Sequence, residues 1–348
     1  MENTKASLKK DWQDLKKEHP KIRIKNAADK LGVSEVELVA TLENATRLNE
    51  DWPGIFIDIE NLGYVMALTR NESVVHERKG EYHNISFNGH AGLVLDPNID
   101  LRIFPGQFGF AYAVPVENPR GTLHSIQFFN KQGVAAHKIY LMNEEHLDDY
   151  SNLVEKFSHE DQNAELKVTP APPTKKEDTS TTIDREAFLQ EWSELQDTHD
   201  FYGLLRKFKV DRTDAFEIAE GRFTQPVENS TTEALLYKAA EQEVPIMVFV
   251  SSGAVIQIHS GTVENIKKMD NWLNVLDSEF NLHLRDDHIS RSWIVEKPTV
   301  DGIVTSLEIF DAENNNIATF FGARKPGIPE LESWRELING LKPKQVLS

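Results

Sequence analysis

The chain has 348 residues, of which 39% are hydrophobic and 27% are charged, a composition typical of a globular protein long enough for two domains. Acidic residues outnumber basic ones by 56 to 38, so a net charge of −18 disfavours binding to nucleic acid or to an anionic membrane surface. The absence of cysteine excludes disulfides, thiolate catalysis and iron–sulfur ligation, which leaves His, Asp, Glu, Tyr or Met for any metal.

The first part of the chain predicts helices followed by many short strands. The start MENTKASLKKDWQDLKK is amphipathic and lacks the apolar core of a signal peptide. A further helix is indicated by VSEVELVATLENA, in which Ser34 and Glu37 can form a capping box. Strand patterns separated by turn residues then follow, and a helix closes this part in LDDYSNLVEKF. The strand patterns are GYVMALTR, ESVVHERKG, AGLVLDP, DLRIFPG, GFAYAVPVE, TLHSIQFFN and GVAAHKIYL.

The second part repeats this order after a segment rich in Pro, Thr and charge, residues 168–184, which predicts a linker. Asp184 is the expected N-cap of an opening helix, and TDAFEIAEGR indicates the next one. PELESWRELINGL predicts the last helix. Aromatic, apolar and polar side chains at three- and four-residue spacing are expected to share one face of the opening helix: Phe188, Trp192, Leu195, His199, Tyr202 and Arg206. The strand patterns are PIMVFVS, AVIQIHSG, WLNVLDS, FNLHLRD, RSWIVEKPT, VTSLEIFD and NIATFFGAR.

The two parts are copies of one unit. GTLHSIQFFNKQG aligns without a gap to GIVTSLEIFDAEN, 181 positions later, and DWQDLKKEH aligns to EWSELQDTH, 180 positions later. We therefore predict a first repeat over 1–167, a linker over 168–184 and a second repeat over 185–348. Because strands follow one another without intervening helices, the predicted class is α+β. Each repeat is expected to form a large antiparallel sheet with helices at its start and end.

His199 is the first candidate for chemistry. It shares its predicted helix face with Tyr202 and Arg206, and haem needs an imidazole for iron, an apolar slot for the ring and cations for the propionates. A partly buried structural histidine is the alternative, and spacing alone favours it. The equivalent position in the first copy, His19, lies among Lys16 and Lys17, which is typical of a site that has decayed or never formed.

Arg102 is the second candidate, because its charge interrupts a strand otherwise made of Leu, Ile and Phe. It faces either solvent, the usual case for an alternating strand, or a cavity. Since arginine is always charged, it cannot ligate iron and could only stabilise a ligand bound to iron. His76 is kept as a weaker haem contact, and the other histidines fit no standard metal motif.

Longer stretches resemble the hemin-degrading factor family, bacterial cytoplasmic proteins of haem-uptake systems. They run in the same order over nearly the whole chain: NGHAGLVLDPNIDLRIF, HSIQFFNKQG, THDFYGLLRK, IMVFVSSGAVIQIHSG, NWLNVLD, FNLHLRDDHI and KPTVDGIVTSLEIFD. The resemblance implies a duplicated antiparallel fold with helices at a haem cleft, which agrees with the internal repeat.

The resemblance also implies roles for single residues. The histidine of the T-H-x-F/Y segment, here His199, would ligate the iron of haem (iron protoporphyrin IX), and Arg102 would meet the opposite face. Arg206 and Arg324 are similar to propionate partners of the family. The tyrosine usual near the end of the family pattern is Phe321 here, so any hydrogen bond from that hydroxyl would be absent. The family pattern also offers His76 as a second contact, and the aromatic Tyr202 lies beside the ligand.

Two functions are compatible with these residues. As a haem oxygenase-like enzyme, the protein would open the macrocycle and release iron, with electrons from an external reductase. As a carrier, it would sequester haem and pass it to a separate oxygenase, receiving it from a haem ABC transporter. We expect a cytoplasmic location, no membrane insertion and no nucleic-acid partner.

Overall fold

The computed structural model describes residues 5–118, 121–170, 183–325 and 327–342. It divides into two compact units, each formed mainly by one copy of the repeat. The first unit comprises Met1–Arg70, Glu77–Pro173 and Ser251–Gln257, and the second comprises Asn71–His76, Thr174–Val250 and Ile258–Ser348.

The α-helices of the described residues are α1 (Lys5–Glu18), α2 (Ile24–Leu31), α3 (Glu35–Val39), α4 (Trp52–Asp58), α5 (Leu147–Phe157), α6 (Arg185–Ser193), α7 (Asp200–Phe208), α8 (Arg212–Ile218), α9 (Thr231–Glu241) and α10 (Glu332–Asn339). The sequence patterns missed three of them, α2, α4 and α9. The predicted opening helix of the second repeat is divided into α6 and α7.

Most strands of the described residues lie where the sequence patterns predicted them, and the exceptions are the short strands Thr46–Leu48, Ser86–Asn88, Thr224–Val227 and Ile266–Met269. The strands are β1 (Thr46–Leu48), β2 (Val65–Arg70), β3 (Val74–Gly80), β4 (Ser86–Asn88), β5 (Ala91–Leu95), β6 (Asp100–Ile103), β7 (Phe108–Ala113), β8 (Val116–Asn118), β9 (Gly121–Leu123), β10 (Ser125–Asn130), β11 (Ala135–Leu141), β12 (Thr224–Val227), β13 (Ile246–Ser251), β14 (Val255–Gly261), β15 (Ile266–Met269), β16 (Trp272–Leu276), β17 (Phe280–Arg285), β18 (Arg291–Thr299), β19 (Gly302–Phe310) and β20 (Asn316–Gly322). The pairs β2 and β13, β3 and β14, and β11 and β20 each begin and end 181 positions apart, as the repeat predicts.

Two large antiparallel sheets of nine strands each result, with β8 and β9 as a separate ribbon. Within the first unit, neighbouring strands run β1-β7-β10-β11-β2 in one sheet and β6-β5-β4 in the other. Within the second unit the corresponding orders are β12-β18-β19-β20-β13 and β17-β16-β15. The predicted α+β class with a duplicated antiparallel architecture is confirmed.

The core of the first unit lies between its sheets and the helices α4 and α5. Along β2 the inward positions alternate with half-exposed ones, as expected for a strand with one buried face. Phe56 of α4 stacks on Phe128 of β10 with ring centroids 4.5 Å apart. The predicted capping box of Ser34 and Glu37 is present at the start of α3.

The second unit buries both faces of its central strands. One face of β18 and β19 packs on α9 and α10 through Ile294 and Leu307. The other face packs on α6, α7 and α8 through Val295 and Phe310. A strand covered on both sides is buried without alternation, and β19 is buried continuously from Val304 to Phe310 although it includes the polar Thr305, Ser306 and Glu308.

Most of the predicted linker, residues 171–182, lies outside the described residues. At one end, Val168 packs against the apolar cluster of α3 and β7, and the backbone amide of Thr169 donates to the carbonyl of Lys131 at 2.8 Å. At the other end, the carboxylate of Asp184 accepts the amide hydrogen of Ala187 at 3.1 Å, which confirms the predicted N-cap of α6. The polar segment is therefore anchored at both described ends.

Candidate functional site

His199 lies on a turn between two short helices rather than within one long helix. Helix α6 ends at Ser193 and α7 begins at Asp200, so the prediction of a single continuous face from Phe188 to Arg206 is wrong. The break has a local cause, because the carboxylate of Asp200 accepts the backbone amides of Gln196 and Asp197 at 3.3 and 2.9 Å. Aspartate side chains that bond nearby amides compete with helix continuation and favour turns.

The imidazole of His199 is held on one side and open on the other. Its Nδ1 lies 2.5 Å from Oδ1 of Asp197, and since a carboxylate only accepts, Nδ1 carries the hydrogen. The side chain of His199 is 91% exposed, which leaves Nε2 facing outward for a ligand. The backbone amide of His199 donates to the same carboxylate at 2.8 Å and, with the ring, lowers the pKa of Asp197.

Helix α7 separates its residues into a buried and an exposed face. Phe201, Leu204 and Leu205 point into the core of the second unit. On the exposed face, the guanidinium of Arg206 lies 6.0 Å from the ring centre of Tyr202, a residue that is 67% exposed. The predicted grouping of His199, Tyr202 and Arg206 on one face therefore holds for this part of the pattern.

Gly203 lies on the same exposed face, and sequence analysis did not single it out. A Cβ atom added there would meet nothing within 4 Å. Glycine in a helix interior lowers helix stability by about 1 kcal/mol relative to alanine. The glycine at position 203 therefore indicates a role other than helix stability. Gly203 thus adds no side chain to the exposed face that carries His199, Tyr202 and Arg206.

A buried cluster of charged side chains packs against α7 at Phe201. Lys297 and Arg212 both lie over the ring of Phe201, at 5.0 and 5.2 Å from its centre. Both bind Glu308, whose oxygens lie 2.8 Å from Nζ of Lys297 and 2.6 Å from Nε of Arg212. Burial alone would raise the pKa of Glu308, but the two positive charges outweigh burial and bring it to about 2. The cluster was not predicted, because it joins residues nearly 100 positions apart.

The turn between β18 and β19 connects the His199 loop with the predicted propionate partner Arg324. The amide of Val300 in this turn donates to the carbonyl of Gln196 at 3.0 Å. The next residue, Asp301, accepts a hydrogen bond from Nη2 of Arg324 at 3.0 Å. Arg324 is thus held by a carboxylate, while its buried Nε makes no hydrogen bond to the described residues.

The remaining predicted residues lie at separate positions. Phe321 is half-buried on β20, and its ring packs edge-on against Phe249 of β13 at 5.2 Å. His76 is fully buried, with its ring 5.0 Å from that of Phe280, so it offers no exposed surface to a haem in this structure. We therefore leave His76 out of the site.

Arg102 lies in the first unit, on β6. Its side chain is about one-third exposed, and its Nη1 donates to Asp100 and to the carbonyl of Leu101. Burial raises the pKa of Asp100, and the charge of Arg102 opposes that rise. The sequence left open whether Arg102 faces solvent or a cavity. In the structure its side chain is partly buried and paired with the carboxylate of Asp100.

No helix in the described part of the chain is long and apolar enough to cross a membrane.

Comparison with known proteins gives a consistent result over nearly the whole chain. The family model described as the haemin-degrading HemS.ChuX domain matches residues 32–157 and again residues 209–341. The hemin transport protein HmuS of Yersinia pestis is 36% identical over 344 residues, covering 98% of this chain and 99% of that protein.

Solved structures agree with this chain at high similarity. The crystal structure of holo-PhuS, a heme-binding protein from Pseudomonas aeruginosa, matches with a TM-score of 0.94 at 44% identity, covering 97% of this chain and 99% of that one. ChuS, a heme oxygenase of Escherichia coli, matches with a TM-score of 0.87 at 33% identity and the same coverage. These matches extend across both copies of the repeat.

Proposed function

The chain belongs to the family of haemin-degrading HemS.ChuX domain proteins, and we propose that it binds haem through His199 and degrades it to release iron. The observation that carries the proposal is the exposed imidazole of His199, with Nδ1 bound to Asp197 and Nε2 facing outward. A histidine ligand to a metal ordinarily donates its second ring N–H to a carboxylate, carbonyl or water. The hydrogen bond between Nδ1 of His199 and Asp197 supports this role.

The rest of the exposed α7 surface supports a porphyrin more than a bare metal ion. Tyr202 supplies an exposed aromatic face, and Gly203 leaves room for a flat ring beside the helix. Arg206 offers a permanent positive charge for a propionate. Arg324 is a second propionate partner in the proposal, which would require its guanidinium to divide its hydrogen bonds between Asp301 and the ligand.

Arg102 enters the proposal from the family resemblance. Arginine can donate hydrogen bonds to an oxygen ligand of iron while remaining charged, which suits the oxygenase role. The reaction also needs an external electron donor, for which we propose a cytoplasmic reductase. Arg102→Ala should leave haem binding largely intact and slow turnover, measured as loss of haem absorbance with reductant in air.

Haem titration tests the ligand assignment. Wild-type protein should give a shifted Soret band that saturates at one haem per chain, and His199→Ala should abolish the shift or weaken binding at least tenfold. The matched control is His19→Ala, the equivalent residue of the first copy, which should titrate like wild type. An unchanged spectrum and affinity in His199→Ala would refute the proposal.

A carrier that hands haem to a separate oxygenase is the second candidate. The 91% exposure of the His199 side chain favours it, since an open ligand exchanges its cargo readily. The two functions separate when haem-loaded protein receives a reductant in air with catalase present. Biliverdin-like product together with carbon monoxide indicates the enzyme, whereas colour loss only without catalase indicates incidental oxidation and therefore the carrier.

A further inference from the structure

We infer that Asp197 is a positioning residue for the haem ligand, which fixes Nε2 of His199 as the iron-binding nitrogen and increases its electron donation. The inference rests on the proposed function, because it assigns a role within the same site. Asp197 itself does not touch haem in this assignment; it acts through the Nδ1–H of the imidazole.

The geometry shows a carboxylate ordered for this contact. Oδ1 of Asp197 accepts both the backbone amide and the ring Nδ1–H of His199, at 2.8 and 2.5 Å. Two hydrogen bonds to one residue define the side-chain torsions of His199 as well as the position of its backbone. The ring therefore cannot turn to present Nδ1 outward without losing a charge-assisted hydrogen bond.

The loop that carries Asp197 is itself held from two sides. Asp200 accepts the backbone amides of Gln196 and Asp197, which closes the turn before α7. The carbonyl of Gln196 accepts from Val300, which ties the turn to the end of the β18–β19 hairpin. A ligand on a loop needs such supports to hold its orientation.

The first copy provides an internal contrast. In the alignment at an offset of 180, Asp197 corresponds to Lys17 and His199 corresponds to His19. Lys17 binds Asp14 at 2.8 Å, and Nε2 of His19 lies 3.3 Å from the ammonium of Lys30. The copy without the carboxylate thus presents the nitrogen needed for iron to a neighbouring cation.

An ionised acceptor on Nδ1–H has a defined electronic consequence. It raises the basicity of the imidazole, and loss of such a partner typically weakens metal binding about 10- to 100-fold. Because ferric iron has the higher charge, it gains more than ferrous iron from a more basic ligand. Asp197 should therefore lower the reduction potential of bound haem and favour electron donation to an oxygen ligand.

The first experiment uses the protein without haem. Nitrogen-15 NMR of the His199 ring at about pH 9, where histidine side chains are neutral, reports which nitrogen carries the hydrogen. Wild type should be protonated at Nδ1, Asp197→Asn should keep that tautomer through its amide oxygen, and Asp197→Ala should lose it. Glu194→Gln removes the same charge from the same loop without contacting His199, and it should behave like wild type.

The second experiment uses the haem-loaded protein and reads the iron–histidine stretching frequency and the reduction potential. Asp197→Ala should lower the frequency and weaken ferric haem binding about 10- to 100-fold. If the ferric complex weakens tenfold more than the ferrous one, the potential rises by about 59 mV. Asp197→Asn should fall between Asp197→Ala and wild type, because it keeps the hydrogen bond and loses the charge.

The outcomes separate the two hypotheses. Wild-type haem binding through His199, with an unchanged tautomer, frequency and potential in Asp197→Ala, would overturn the role of Asp197 and leave the proposed function standing. Normal haem binding by His199→Ala would overturn both. In that case the NMR experiment would still establish whether Asp197 sets the tautomer of the free protein.

Discussion

Acid should destabilise the first unit through one buried histidine, His137 on β11. Its ring is fully buried and bridges two hydroxyls, with Nδ1 2.8 Å from Oγ1 of Thr69 and Nε2 2.7 Å from the phenol of Tyr82. Burial lowers the pKa of His137 from 6.5 to about 3. Between these two values the unfolded chain binds a proton that the folded chain does not, so the free energy of unfolding falls as the pH falls.

The magnitude follows from 1.36 kcal/mol per pKa unit. Lowering the pH from 7 to 5 should cost about 2 kcal/mol through this group, and the full difference, reached below pH 3, is about 5 kcal/mol. Urea unfolding at both pH values measures the change. The glutamine of His137→Gln is polar but does not titrate, so the free energy of unfolding of this variant should fall by about 2 kcal/mol less than that of wild type on acidification. At pH 7 the variant should be less stable than wild type.

His90→Gln is the matched control, because it removes one histidine at an exposed position. Comparing the two variants cancels the contribution of the other titrating groups that both share with wild type. If His137→Gln and wild type lose the same stability between pH 7 and pH 5, the buried neutral ring is not the source of acid sensitivity.

Three further substitutions test the second unit. Glu308→Gln should lower the free energy of urea unfolding by about 3–5 kcal/mol, because Lys297 stays buried without its counter-charge; a loss below about 1 kcal/mol would contradict the charge cluster. Gly322→Ala should cost about 1–3 kcal/mol, since the new Cβ lies 2.4 Å from the buried ring of Trp334, and equal melting temperatures would show that the ring yields freely. Gly203→Ala should stabilise the free protein by up to about 1 kcal/mol and weaken haem binding, so unchanged titration would remove Gly203 from the proposed surface.

Local signals predicted much of the architecture. The two offsets predicted the duplication, and β-branched runs between turn residues predicted the strands. The missed helix α4 has only seven residues and includes Pro53 and Gly54, which ordinarily indicate a loop. Proline is compatible with a helix at its first positions, and Asp51 caps this one by accepting from Gly54. The missed helix α9 could have been predicted, because its stretch TTEALLYKAAE is rich in strong helix formers.

The candidate site was only partly predicted from the sequence. The sequence singled out His199, Tyr202 and Arg206, and these three share the exposed surface at α7. The sequence pattern predicted one helix that was too long, because the three- and four-residue spacing continues across the turn between α6 and α7. Hydrogen bonds to the side chain of Asp200 create that turn. Two aspartates flanking a histidine, at 197 and 200, were the available signal for that turn.

The sequence by itself determined the repeat, most of the strands and the caps of α3 and α6, because each depends on residues close together in the chain or on periodic burial. Only the tertiary structure decided which groups meet: Glu308 with Arg212 and Lys297, and Val300 with the loop of His199. Arg212 lies 96 positions from Glu308, and the strength of both ion pairs of Glu308 depends on burial, which no local pattern specifies.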